Sequence, residues 1–227
     1  MAATITFKKY AFLPVLITSV LFFSACSMQN PTERLKEARK VELSIGLVIQ
    51  SSGYPKVSRK SRQYMLSNQS QIYRGDIIET DSESIMKIKM NDGSTFIIGK
   101  NSHFVLHYYK YEPRLKALIA RISFTSGSLL TSTVKDTLAH KTRFEIATPL
   151  GVIGAQGAEF WSGFTFGDNR LDTVMLNGEK IYIKNDHGSM EVTKNKTGTT
   201  VIGNSAPKNA EKWSNRTLDE ALLTIIF

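Results

Sequence analysis

The stretch from Phe144 to Trp161 constrains what this chain can fold into more than any other. Phe144 and Ile146 alternate with Arg143 and Glu145, the period of two that marks a half-buried strand. Pro149 has no backbone donor and drives Thr148 into extended geometry, so pairing is expected to stop there. Gly151, Gly154 and Gly157 follow three residues apart, and extended structure is expected to resume at Glu159-Phe160-Trp161. The segment predicts a strand, a sharp glycine corner and a second strand. A phosphate-cradling loop is excluded by context. Its glycines must open a helix, and these run into Phe160, Trp161 and Phe164 instead.

The same rhythm fills most of the chain. Met86, Ile88 and Met90 alternate with Lys87 and Lys89, and Asp92-Gly93 predicts a hairpin into Thr95-Phe96-Ile97-Ile98. Further strands are expected at 41–50, 103–111, 117–124, 128–134, 172–176, 179–184, 189–193 and 199–202. Hairpin turns are expected at Asn177-Gly178 and Asp186-His187-Gly188. Residues 51–70 carry Lys56, Arg59, Lys60 and Arg62 beside Tyr54 and Tyr64, and read as a solvated surface loop. A polyanion-binding patch is the functional alternative there. Residues 136–141 read as a polar excursion. Near the end, Thr217-Leu218-Asp219-Glu220 has the form of a capping box, and Leu218, Leu222, Ile225 and Ile226 share a helical face. The expected fold is all-β: a rolled or solenoid-like sheet of short antiparallel strands over 41–205, then a linker and capping helix over 206–227.

Thr148-Pro149, followed by Gly154-Ala155-Gln156-Gly157-Ala158-Glu159-Phe160, resembles the signature of FecR-type envelope domains. In that family the stretch usually reads Thr-Pro and then Gly-Val-Arg-Gly-Thr-x-Phe, so Ala155, Gln156 and Ala158 depart from it. Gly75-Asp76-Ile77-Ile78-Glu79-Thr80 is similar to the family's Gly-Asp-x-Ile-x-Thr. Asn91-Asp92-Gly93-Ser94 is similar to its Asp-Gly-Ser hairpin, and Ser126-Gly127-Ser128-Leu129 to its next Gly-x-Leu/Val step. The four motifs stand in the family's order across about residues 46–203. The resemblance implies a β domain of the bacterial envelope in which Gly75, Asp76, Asp92, Gly93, Ser94, Thr148, Pro149, Gly154, Gly157 and Phe160 are structural. A contact made by the family's arginine is not expected to carry over to the uncharged Gln156.

The first residues read as an address. Lys8 and Lys9 precede an apolar run from Tyr10 to Phe23, and Ser24-Ala25-Cys26 closes it with small residues, so 1–25 is expected to be a signal peptide. Small residues before Cys26 resemble a bacterial lipobox, with Phe23 where leucine is usual, and make Cys26 the expected lipid attachment. Ser27 after an acylated cysteine implies sorting to the outer membrane, facing the periplasm. Residues 26–40, with a helix-start pattern at Asn30-Pro31-Thr32-Glu33, are expected to be a tether. The formal charge is +9, or +7 without Lys8 and Lys9. That balance suits acidic envelope partners, whereas no recognition helix or finger spacing points to nucleic acid.

Nothing in the sequence requires catalysis, a metal or a cofactor. His103 and His107 on one strand would lie about 13 Å apart, too far to share an ion. The carboxylate pairs Asp76/Glu79 and Asp81/Glu83 sit at turns, where aspartate serves backbone hydrogen bonds. Tyr108, Tyr109 and Tyr111, with Phe160, Trp161, Phe164 and Phe166, are expected to be core and edge cover, or a carbohydrate surface where exposed. The expected function is a non-catalytic envelope module binding a protein or polysaccharide partner. A glycan-modifying enzyme and a surface adhesin are the alternatives. Family members that regulate sigma factors carry a cytoplasmic segment before their membrane anchor. Only residues 1–9 precede the apolar run here, so that role is not expected to transfer.

Overall fold

The computed structural model describes residues 43–135 and 142–227. The expected signal peptide, Cys26, the tether and the excursion at 136–141 with His140 lie outside them. The strands are β1 (Gly46–Ser52), β2 (Lys56–Arg59), β3 (Arg62–Met65), β4 (Gln71–Ile72), β5 (Ile77–Glu79), β6 (Ile85–Met90), β7 (Thr95–Ile98) and β8 (His103–Glu112). They continue as β9 (Ala117–Ser126), β10 (Ser128–Ser132), β11 (Arg143–Thr148), β12 (Gly151–Gly163), β13 (Arg170–Asn185), β14 (Gly188–Val192), β15 (Thr197–Ile202) and β16 (Glu211–Lys212). One helix, α1 (Asn215–Leu223), follows. Among the described residues, all sixteen strands join one curled sheet, so the all-β expectation with a short C-terminal helix holds.

The order across the curl is β3-β2-β5-β8-β9-β11-β12-β10-β7-β6-β1-β4. Pairing is antiparallel except between β9 and β11, which run parallel. Strand β13 lies along β12, and its own outer edge takes β15 over Arg170–Met175 and β14 over Ile181–Asn185. The alternation read from the sequence sets the faces: Met86, Ile88 and Met90 are buried beside Phe96, Phe104 and Ile122, while Lys89 faces water.

Four expectations need correction. Gly151, Gly154 and Gly157 are not a corner: the turn is Pro149-Leu150 alone, and β12 then continues as one strand through all three glycines. Gly154 is small because the Tyr182 ring on β13 occupies the space a β-carbon would take. Asn177-Gly178 is not a hairpin turn. It lies inside the continuous β13, next to a bulge at Leu176, where Gly178 takes φ +117° and its amide donates to the Asn177 side chain at 2.9 Å. Residues 51–70 are not a loop but carry the β2–β3 hairpin, turned by Lys60 and Ser61 at φ 49° and 62°. Finally, the helix cap is Ser214, whose hydroxyl accepts the Thr217 amide at 3.1 Å, three residues before the expected box.

The helix lies on the sheet's outer face, not on an edge. Leu218, Ala221 and Ile225 bury against Trp161 and Val174, with Trp213 and Phe166 at their flank, while Ile226 faces water. Trp161 donates to Thr224 Oγ1 at 3.1 Å, which fixes the last turn. Phe160, the next residue along β12, points the other way into the main core. These aromatics are therefore core on two faces, not a carbohydrate surface.

Arg59 ties the two ends of the curl together. From β2 its guanidinium donates to both oxygens of the fully buried Asp76, at 2.6 and 2.7 Å, and to the Gln71 carbonyl on β4 at 3.1 Å. Tyr73 stacks on it, 4.2 Å from guanidinium carbon to ring centre. Asp76 also accepts the Tyr73 amide at 2.9 Å, so the aspartate of the Gly-Asp motif is a structural anion. Asp76→Ala is expected to lower the unfolding free energy in urea by about 3 kcal/mol, because a part-buried guanidinium loses the anion it pairs with. Arg59→Met, which removes the cation and leaves the carboxylate buried, is expected to cost a similar amount.

Candidate functional site

Strand β12 has two neighbours along one edge. β11 pairs with Gly151–Gly154 and β10 with Glu159–Gly163, so the sheet forks between them at Ala155–Ala158. A cavity of about 350 Å³ opens at this fork. It is framed by the very residues of the Gly154–Phe160 motif, with Ala155, Gln156 and Gly157 in its wall. Thr133, just past β10, holds the fork open at one side: its amide and hydroxyl donate to the Ala158 carbonyl at 2.9 and 3.2 Å. The Ala158 amide donates back to the same hydroxyl at 3.0 Å. Gly157, at φ +50°, bends the strand there.

The cavity draws on four further strands and a turn. Leu118 on β9 and Phe144 on β11 form an apolar floor, Tyr111 on β8 and Tyr182 on β13 form walls, and Asp92 and Ser94 of the β6–β7 turn close one end. Lys116, Lys135, Arg143 and Lys180 stand around it with Asp92 and Glu145, four cations to two carboxylates. Three of the cations are already paired: Arg143 with Glu145 at 2.8 Å, Lys135 with Glu179 at 2.8 Å and Lys180 with Glu191 at 3.4 Å. The hydrogen bond from Arg143 to Glu145 holds the guanidinium charged, and the Lys135 ammonium is raised in the same way by Glu179. Burial raises the Tyr182 phenol, and nearby Glu145 adds to that.

Asp92 is committed to its own turn and to β8. It accepts the Ser94 amide at 3.2 Å, the Ser94 hydroxyl at 2.6 Å and the Tyr109 hydroxyl at 2.7 Å. The Asp-Gly-Ser motif is thus a hairpin turn braced by Ser94 and tied to β8 by Tyr109, with Gly93 at φ +96°. Thr148 makes the matching turn at Thr-Pro: its hydroxyl donates to the Gly151 carbonyl at 2.7 Å and accepts the Leu150 amide at 3.2 Å. Beyond that turn a more open polar groove of about 680 Å³ runs past Lys184 and His187, sharing Arg143, Glu145 and Tyr182 with the cavity. His103 and His107 take separate hydroxyl partners, Thr125 at 3.1 Å and Ser123 at 2.7 Å. Among the described residues, no three histidine, cysteine or acidic side chains gather to hold a metal.

Asp76 to Glu179 match the family model described as FecR protein. Over that span, a little under half of its length, the chain is similar to FecR proteins. The matched span holds every motif residue named above except Gly75, and is narrower than the 46–203 over which the motifs run. Two crystal structures of a candidate anti-sigma factor from Parabacteroides distasonis, at 1.65 and 2.50 Å resolution, share the fold with a TM-score of 0.50 each. They are 13% and 12% identical to this chain over 64% of its length. The alignments span 64% and 63% of those chains, less than two thirds, and at such identity the likeness shows the fold alone. No curated protein matches the chain.

Of the motif residues in the matched span, Asp76, Asp92, Ser94 and Thr148 make fold-defining hydrogen bonds, and Phe160 is core. The fork brings in Tyr111, one of the tyrosines marked in the sequence as core, edge cover or carbohydrate surface, together with Lys116 and Tyr182, which the sequence did not mark because they come from separate parts of the chain. Burial, and after it the Asp92 carboxylate, push the Tyr109 phenol well above its ordinary value near 10. The unfolded phenol ionises first, so the stability this group contributes is intact below about pH 10 and lost as pH rises beyond it. Urea midpoints of the wild type are expected to fall above pH 10, and Tyr109→Phe to flatten that fall while lowering the midpoint at neutral pH. Gly154→Ala is expected to destabilise by about 1–3 kcal/mol through its clash with Tyr182. Paired with Tyr182→Ala, it should cost less than the sum of the two single changes.

Proposed function

We propose that this chain is a non-catalytic binding module of the bacterial envelope, held by a lipid on Cys26 and facing the periplasm from the outer membrane. Its partner is an envelope protein or polysaccharide. The observation that carries the binding reading is the geometry of the FecR-like span, in which the family motif frames the fork cavity instead of a catalytic constellation. The two carboxylates there are engaged, Asp92 by two donors from Ser94 in its turn and by the Tyr109 hydroxyl on β8, and Glu145 by Arg143, which weighs against a glycan-modifying enzyme. The anchor rests on the sequence around Cys26 and on the acyl chains it would carry, each contributing about 0.8 kcal/mol per buried methylene. No helix of the described residues is long and apolar enough to cross a membrane.

The solved neighbours favour a second reading, a regulatory domain of the anti-sigma kind. Intact mass and membrane fractionation in a Gram-negative host, comparing wild type with Cys26→Ala, separate the two. A mature chain beginning at Cys26 with the added mass of diacylglyceryl, released from the membrane by the substitution, is the expected result. An unprocessed chain starting at Met1 and held in the inner membrane would favour the regulator. Plain cleavage with both forms free of the membrane would remove the anchor.

A further inference from the structure

We infer that the fork cavity is a binding site for an acidic sugar of one or two rings. The inference rests on the binding, non-catalytic reading of the domain and is independent of the anchor at Cys26. At about 350 Å³ the cavity lies at the small end of ligand sites, which run from roughly 300 to 1,000 Å³. It therefore suits a glycan end more than a polymer laid across a surface.

The chemistry of the wall selects the class. Among the described residues, no hydrogen bond uses the Gln156 amide or the hydroxyls of Tyr111 and Tyr182, so these groups are open to a ligand. An amide offers two donors and an acceptor, and each phenol one of each, the complement of a ring of vicinal hydroxyls. The phenol faces also give a sugar's apolar side something to stack on. Leu118 and Phe144 are the floor, too small an apolar surface to bury an alkyl chain, which argues against a fatty anion. Charge decides between neutral and acidic sugars. Three of the four cations are in ion pairs, whereas Lys116 has no carboxylate partner among the described residues. Asp92 is filled by Ser94 and the Tyr109 hydroxyl, so the local balance favours an anion beside Lys116.

Titration calorimetry of the full chain in mild detergent, with digalacturonate as probe and galactobiose as its uncharged twin, tests this. Digalacturonate should give saturable heat that weakens with salt, and galactobiose should bind at least about tenfold more weakly. Lys116→Met should remove that preference for charge. Gln156→Leu should weaken both sugars about tenfold. Both variants should melt with the wild type, since neither side chain is buried. Equal binding of the two sugars, unchanged binding by both variants, or no saturable heat would overturn the site. Digalacturonate recovered as single rings would keep the site and overturn the non-catalytic reading. Absence of binding would leave the anchor to be judged by mass.

Discussion

Strand β12 holds the molecule together by pairing on both edges at once. Along one edge it meets β13 for nearly its whole length, and along the other it meets β11 first and β10 second. On one side of this joint stand β3, β2, β5, β8, β9 and β11; on the other stand β10, β7, β6, β1 and β4. The two groups share no other strand in the hydrogen-bonded path. A strand that serves so many neighbours must carry side chains suited to burial on both faces, which is why Phe160 and Trp161 stand side by side in it.

The same arrangement explains why the cavity lies where it does. Two strands that end against a third from opposite directions leave a gap at their meeting point, and the motif from Gly154 to Phe160 crosses that gap. Glycine at 157 bends the strand through it, and alanine at 155 and 158 keeps the neighbourhood small. Elsewhere polar anchors close the curl: Arg59 with Asp76 joins its two ends, and Arg170 with the buried Asp172 repeats the device on β13 at 2.7 and 2.9 Å. Buried aspartates in a sheet of this kind act as fixed ends for arginines on neighbouring positions, each with further donors to complete its shell.

How much of this was legible from the residues varies with how local the deciding contact is. The turn at Asp92-Gly93 and the one at Asn185–Gly188 are set by hydrogen bonds within a few residues, and both were readable. The turn at Lys60-Ser61 adopts left-handed backbone without glycine or asparagine, so it left no mark and its hairpin passed for a loop. Asn177-Gly178 left a strong mark of the wrong kind. A glycine at positive φ serves a bulge as well as a turn, and only the length of the partner strand β12 decides which. The helix was visible in Leu218 and Ile225, but its start was not, since Ser214 and Thr217 are both plausible caps. For the site, Gln156 stood out as a departure from a motif and Tyr111 as one of a run of tyrosines, whereas Lys116 and Tyr182 converge from distant parts of the chain and had no local signal.

The joint at β12 also sets the order of events as the chain acquires its structure. Everything before Gly151 can form hairpins such as β6–β7 and β8–β9, yet these belong to two separate half-sheets. The halves become one sheet only when a strand near the end of the matched family span arrives and slots between β11 and β10. The parallel register of β9 and β11 and the pairing of β7 with β10 make this a late, non-local step, the kind that slows folding because loop entropy is spent before contacts repay it. Until then, β10 and β11 each present an edge of unpaired backbone donors and acceptors. The interval between making those edges and covering them is the period in which this protein is most exposed to misassembly.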